Sequence, residues 1–286
     1  MADRLRDLWD FDDLDSTERR FRELLAAEPS AGSRAEILTQ LARMQGLRGE
    51  FAEGDRLADE AEALAGSETA ARVRIDLERG RLRRSSGDEE AALPLFESAF
   101  HTAVDTDELA LAADAAHMAA LAAPDRRAML AWTRTGIEVA ESAADPSARY
   151  WLGPLLNNLG WEHYESGEYE SALDAFQRAL AAREQDPGNR PAVEIARYAV
   201  AKTLRALGRP AEAAPLLEHA VAWADGEGKP DSWFHEELAE CYAALGRPLE
   251  AGEQARRALA LLPDADSTFE PGGERATRLR ELAAAG

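Results

Sequence analysis

The sequence predicts an all-α chain of about six antiparallel helix pairs in a row, with one further helix at each end. Three observations predict it. Turn sequences recur about every 40 residues, small residues stand at fixed distances from each turn, and the segments between turns have helical apolar patterns. Hydrophobic residues make up 45% of the 286 residues, which is enough for a core in a chain of mean hydropathy −0.41.

Glycine marks the turns. Gly49, Gly87, Gly167, Gly208 and Gly246 lie in similar short sequences, such as "ESGEY" and the repeated "ALGRP". Their successive spacings are 38, 80, 41 and 38 residues. The long spacing equals two periods, so a sixth turn is expected near Ala123–Pro124.

Columns of small residues support this repeat. Seven residues before the turns stand Ala42, Gly80, Ala116, Gly160, Ala201 and Ala239; five after stand Gly54, Ala92, Ala128, Ala172, Ala213 and Ala251; twelve after stand Ala61, Ala99, Thr135, Ala179, Ala220 and Ala258. Small side chains allow two helices to approach closely. The ninth residue after the turn is often large, as Phe96 and Phe176 are, and is expected to fill the space between neighbouring pairs.

The end segments and two prolines complete the predicted helices. In segment 1–33, Asp15 with Glu18 predicts a capping box that opens a helix ending at Ala27. Six pairs are expected over 34–265 and a capping helix over 272–285, so that 1–286 form a single domain. Pro94 and Pro215 predict second helices that begin late, because proline is tolerated near a helix start.

Two stretches carry a family resemblance. They are "LGWEHYESGEYESALDAFQRAL", with Leu159, Gly160, Tyr164, Gly167, Tyr169, Ala172, Phe176 and Ala179 at the family's positions, and "LAECYAALGRPLEAGEQARRALALLP". Both resemble the tetratricopeptide repeat, over about Ala35 to Pro263. The resemblance implies a right-handed superhelical solenoid whose first helices line a concave groove. The richness in Ala and Arg favours a bacterial, actinobacterial-like type.

The groove positions implied by the resemblance carry basic, amide and aromatic side chains. They are Arg43, Arg81, Arg84, His117, Asn157, Asn158, Trp161, Tyr164, Tyr198, Lys202 and Arg205. Such residues suit an acidic protein segment or a C-terminal carboxylate. Asn158 and Lys202 lie where the carboxylate-clamp repeats of chaperone cofactors have an Asn and a base, although His117 replaces the second Asn. Acidic residues in the last pair suggest that a ligand is held with polarity.

Net charge, cysteine content and the absence of known motifs argue against several classes of function for this chain. A net charge of −21 disfavours nucleic acid and anionic membranes as partners. Because no long apolar run occurs, neither a membrane span nor a secretion signal is expected. The single cysteine, Cys241, is expected to be a buried small side chain in a cytoplasmic protein. No nucleotide-binding or hydrolase motif occurs in the sequence, and the histidines form no metal-binding motif. Neither an enzyme nor a cofactor is therefore expected.

Two functions remain open at this point. The first is a non-catalytic scaffold or adaptor that recognises a partner segment in its groove. The alternative is a sensor or regulatory subunit that binds a small molecule or a signalling peptide and acts through a separate regulator. Self-association is left open. Trp9 and Phe11 are expected to hold the N-terminal segment against the first pair, with exposure as a partner-binding motif as the alternative.

Overall fold

The computed structural model describes residues 5–186 and 188–286, which form α-helices joined mostly by short turns. No strand occurs among these residues. They divide into two compact units, one ending at Leu155 and one beginning at Leu156. The organisation of residues 1–286 as one continuous domain stays a prediction.

The helix pairs follow the predicted order. Unit 1 contains a short 3-10 turn (Arg6–Leu8), then α1 (Leu14–Ala27), α2 (Ala31–Leu47), α3 (Phe51–Ala65), α4 (Thr69–Ser85), α5 (Glu89–Asp105), α6 (Leu109–Leu121), α7 (Arg126–Ser142) and α8 (Pro146–Arg149). The unit division falls within α9 (Leu152–Glu165). Unit 2 continues with α10 (Tyr169–Arg183), α11 (Arg190–Ala206), α12 (Pro210–Gly226), α13 (Ser232–Ala244), α14 (Pro248–Ala265) and α15 (Glu274–Ala285). The all-α architecture of six pairs between terminal helices is confirmed.

The glycine turns are also confirmed. Gly167 has a φ of 75°, a conformation that L side chains rarely adopt. The amide of Glu168 then donates to the carbonyl of His163 at 2.8 Å, which closes the end of α9. Equivalent positive φ angles occur at Gly49, Gly87, Gly208 and Gly246. Local turn chemistry therefore ends the first helix of these five pairs.

The sixth turn lies where it was expected, but it is longer than the others. Residues 122–125 separate α6 from α7, whereas residues 86–88 separate α4 from α5. The extra residue shifts the register of α7 by one position. As a result Gly136, rather than Thr135, packs against Ala116 of the facing helix.

Gly160 is required by an aromatic ring in the same pair. A Cβ atom built on Gly160 would lie 2.5 Å from the ring of Phe176, which is fully buried. Gly80 stands in the same relation to Phe96, at 2.4 Å. The large ninth residue therefore lies against the small residue of its own pair, not only between neighbouring pairs as expected.

We expect Gly160→Ala to destabilise unit 2. Alanine has a helix propensity better than glycine by about 1 kcal/mol, but overpacking a filled core costs about 1–3 kcal/mol. The matched control is Gly226→Ala, because a Cβ built on this helical glycine would lie within 4 Å of no atom beyond its chain neighbours and its own helix backbone. Urea denaturation followed by circular dichroism should show a loss for the first variant and no loss for the second. Equal midpoints would contradict the packing argument.

The two prolines do not delay the second helices. α5 begins at Glu89 and α12 at Pro210, so Pro94 and Pro215 each lie at the sixth helical residue. Both prolines are solvent-exposed. The carbonyl that each leaves without its helical donor therefore faces water, which explains why the predicted late start is wrong.

The predicted capping box at Asp15 is wrong as well. The N-cap of α1 is Asp13, whose carboxylate accepts from the amide of Ser16 at 2.8 Å. Asp15 lies in the first helical turn and pairs instead with Arg48 at the end of α2. Glu18 pairs with the same guanidinium at 2.5 Å. Both acids are thus used to attach α1 to α2.

The first helices lie side by side within each unit. In unit 1, α2 contacts α4 and α4 contacts α6; in unit 2, α11 contacts α13. The second helices pack between them, as α3 does against α2 and α4. Each unit therefore has a surface made by its first helices, which we call its first-helix face.

Candidate functional site

The eleven candidate residues all lie on first helices and all are half-buried. Four belong to unit 1, namely Arg43, Arg81, Arg84 and His117. Seven belong to unit 2, namely Asn157, Asn158, Trp161, Tyr164, Tyr198, Lys202 and Arg205. The two groups have different electrostatic surroundings.

In unit 2, two bases share one carboxylate. Lys202 Nζ lies 3.1 Å from Glu237 Oε2, and Arg205 Nε donates to Glu237 Oε1. Glu237 is 2% exposed, whereas the side chains of Lys202 and Arg205 are 26% and 30% exposed. The acid thus lies beneath two cations, which reach the first-helix face with one positive charge in excess.

Two phenols adjoin these bases. Lys202 Nζ lies 5.6 Å from the ring centroid of Tyr198, and burial raises the pKa of both Tyr164 and Tyr198. Burial alone would lower the pKa of Lys202, but Tyr198 and Glu237 outweigh it, so this pKa lies above its ordinary value. The ring of Trp161 packs 5.6 Å from that of Tyr164 and 5.0 Å from that of Phe176. Packed aromatic rings therefore lie next to the two cations.

The other acids of α13 are neutralised by the final helix. Glu236 pairs with Arg275, and Glu240 pairs with Arg278 at 2.9 Å. Each of these carboxylates has a guanidinium from α15 against it. The predicted excess of negative charge at these two positions is therefore absent. α15 thereby covers charge as well as apolar surface.

In unit 1 the base at position 81 already has two acidic partners. Arg81 lies between Glu78 and Asp114, with guanidinium-to-carboxylate distances of 2.5 Å to each. The side chains of Arg81, Glu78 and Asp114 are 11%, 2% and 10% exposed. Nearby, Arg74 pairs with Glu36 at 3.2 Å. Buried charges need such partners, so Arg81 is already committed to its own neighbours.

The remaining unit 1 candidates are held in different ways. The guanidinium of Arg43 lies over the rings of Trp9 and Phe11, 5.3 and 5.8 Å from their centroids. Arg84 donates to the carbonyl of Leu121 at 3.3 Å. Burial, together with nearby Arg81 and despite Asp114, lowers the pKa of His117 to about 4, so its imidazole is neutral at neutral pH.

A family model described as a tetratricopeptide repeat matches residues 163–225, which run from the end of α9 through α12. These residues are tetratricopeptide repeats. No curated protein matched its sequence. Repeats of this family are generally non-catalytic scaffolds for protein–protein interaction.

Solved structures share the tetratricopeptide fold. One is a signal-transduction ATPase with numerous domains that has a tetratricopeptide-repeat sensor, from Pyrococcus horikoshii, with 17% identity and a TM-score of 0.71 over 95% of this chain and 41% of that one. Another is the Cut9–Hcn1 hetero-tetramer of APC/C, with 15% identity and a TM-score of 0.65 over 98% and 48%. The chain spans less than half the length of both. The apo quorum sensor NprR of B. thuringiensis has 13% identity and a TM-score of 0.58, over 95% and 83%.

The clamp-like residues of these repeats are not brought together in one unit. Asn158 and Lys202 lie on α9 and α11 in unit 2, whereas His117 lies on α6 in unit 1 and packs 5.4 Å from the ring of Trp151. In the described residues, no group of three or more His, Cys, Asp or Glu is arranged to hold a metal. Among the same residues, no helix is long and apolar enough to cross a membrane.

Sequence reasoning missed the acids that pair with the bases of these repeats. Arg81 pairs with Asp114, Arg205 with Glu237, and Arg278 with Glu240, at separations of 33, 32 and 38 residues. The first two pairs thus join successive first helices, and the third joins α13 to the terminal helix α15. A search for opposite charges about one repeat apart would have found them.

Proposed function

We propose that this chain is a non-catalytic scaffold or adaptor, and that the first-helix face of unit 2 binds an acidic segment of a partner protein. One observation carries the proposal: Lys202 and Arg205 share the single carboxylate of Glu237. In a chain with a net charge of −21, this local excess of positive charge is a suitable place for a ligand carboxylate.

The surroundings of Lys202 fit such a ligand. Tyr164 and Tyr198 supply half-buried rings with phenol groups, and aromatic side chains give contact area at a small cost in conformational entropy. Since Lys202 is fixed by Glu237 before a ligand arrives, little side-chain freedom remains to be lost on binding. We infer that a partner carboxylate joins this pair rather than replacing Glu237.

Arg81 has a different role in this proposal. Its guanidinium is enclosed by the carboxylates of Glu78 and Asp114, so it has two acidic partners within unit 1. We infer that Arg81 stabilises unit 1 and does not bind the partner.

Lys202→Gln is the variant that tests the binding surface. It removes the excess charge while Arg205 continues to pair with Glu237, so the fold should be retained. We expect capture of a partner from a lysate of the source organism to fall roughly tenfold, because one charge-assisted hydrogen bond contributes about 1.5–3 kcal/mol. Mass spectrometry of the retained proteins measures the difference.

Lys229→Gln is the matched control, since Lys229 is the only other lysine in the chain and lies exposed in the turn before α13. It makes the same change in net charge at another position. Equal loss in both variants would mean that only overall charge matters. Full retention by Lys202→Gln would move the binding surface away from unit 2.

A sensor is the second candidate function. Two proteins that share the fold, at 17% and 13% identity, are described as having a repeat sensor and as a quorum sensor. In that case a small molecule or signalling peptide would raise the melting temperature of the isolated chain. A thermal shift with a ligand, in the absence of any captured protein, would favour this function over the scaffold.

A further inference from the structure

The N-terminal segment lies against the first-helix face of unit 1. Leu5 is fully buried, and the indole Nε1 of Trp9 donates to Gln40 Oε1 of α2 at 3.0 Å. The rings of Trp9 and Phe11 stack at 4.9 Å, and Arg43 of α2 lies over both. Arg43 is one of the predicted groove residues, and Gln40 precedes it by three residues on the same helix. We call residues Leu5–Phe11 the strap.

The other end of the strap reaches a different part of unit 1. The guanidinium of Arg6 lies 3.2 Å from the ring centroid of Tyr150, the residue after α8. Tyr150 packs against Trp151, which packs against His117 of α6. Because α4 lies between α2 and α6, the strap connects the two sides of the face across α4.

The strap itself gives Arg43 only aromatic partners. Burial lowers the pKa of Arg43, and Glu78 and Asp114 of the same unit oppose that shift. In the described parts of the chain, Arg43 has contacts with aromatic rings but no ion pair, and Phe11 is 59% exposed. The acid between the two rings, Asp10, turns away from Arg43. Its carboxylate accepts from the amides of Asp12 and Asp13, and Arg20 lies 3.9 Å from it.

We propose that the first-helix face of unit 1 is a second peptide-binding surface, occupied in the free protein by the strap. The partner segment that displaces the strap resembles the strap in sequence: it has one acidic residue with one aromatic residue on each side. It supplies the rings that Arg43 and Gln40 already bind, together with a carboxylate that the strap does not direct at Arg43. This surface is independent of Lys202 and of the function proposed for unit 2.

A peptide offered from outside tests this proposal. The probe is a fluorescent peptide with the sequence of residues 5–13, LRDLWDFDD, titrated with the full chain and followed by anisotropy. Trp9→Ala with Phe11→Ala should open the face, and we expect it to bind the peptide at least tenfold more tightly than the wild type does. Adding Arg43→Gln should abolish that gain. The control is Trp233→Ala, which removes a partly exposed tryptophan from unit 2 and should leave the weak wild-type binding unchanged.

Two further measurements keep the test decisive. Arg6→Ala removes the contact with Tyr150 and leaves both strap aromatics in place. It should therefore raise peptide affinity even if the double variant folds poorly, as judged by circular dichroism. No gain in either variant, or a gain that persists in Arg43→Gln, would overturn the proposal. Light scattering covers the case in which a second copy supplies its strap. If the wild type were a dimer and the double variant a monomer, the occupant of this face would be the strap of a second copy, and the proposal of a separate partner would be wrong.

Discussion

Arg81→Ala is expected to lower the free energy of unfolding of unit 1 by about 3–5 kcal/mol, because removing one member of a buried ion pair leaves uncompensated charge. The side chains of Glu78 and Asp114 are 2% and 10% exposed, and both lose the guanidinium that lies 2.5 Å from them. Urea denaturation followed by far-ultraviolet circular dichroism measures the loss.

Arg209→Ala is the control for this variant. Arg209 also pairs with an acid, Glu212, at 2.7 Å, but both side chains are exposed on the surface. Exposed pairs contribute little, so no measurable change is expected. If the two variants unfolded alike, burial would not be what makes the Arg81 pairs important.

The same geometry limits which variants can test binding. Arg81→Glu would place a third carboxylate beside Glu78 and Asp114, and unit 1 is expected to unfold. A loss of partner binding in such a variant would report the loss of the fold. Lys202→Gln avoids this difficulty because Glu237 retains Arg205.

Phe176→Ala is expected to destabilise unit 2 by about 3–5 kcal/mol, the usual range for removing a fully buried phenylalanine. Its ring is 0% exposed, packs 5.0 Å from the ring of Trp161, and fills the space above Gly160. Leu249→Ala is the control, because Leu249 is 69% exposed on α14 and should change stability by less than about 0.5 kcal/mol.

A second substitution makes this prediction specific to the packing of Gly160. In the Phe176→Ala background, Gly160→Ala should stabilise the protein, by up to about 1 kcal/mol, because the alanine Cβ no longer meets a ring and helix propensity alone remains. In the wild type the same substitution should destabilise. The same sign in both backgrounds would show that Phe176 is not the reason for glycine at this position.

The two proposed binding surfaces were only partly predictable from the sequence. The sequence placed Lys202 and Arg205 on one helix face, since their spacing of three residues determines that. It did not reveal that Glu237 lies beneath both, because this contact depends on how closely α11 and α13 pack. The position of Trp9 on Gln40 had no periodic signal either, since the strap precedes the repeats.

The sequence by itself determined the helix pairs, the five glycine turns and the need for a small residue at position 160. These features follow from backbone conformation and from volumes that recur every repeat, both of which are visible in residue types and spacings. Only the tertiary structure decided the one-residue shift in α7, the partner of each buried base and the path of the strap. Those depend on distances between helices, which a loop of one extra residue or a returning segment changes without altering the local pattern.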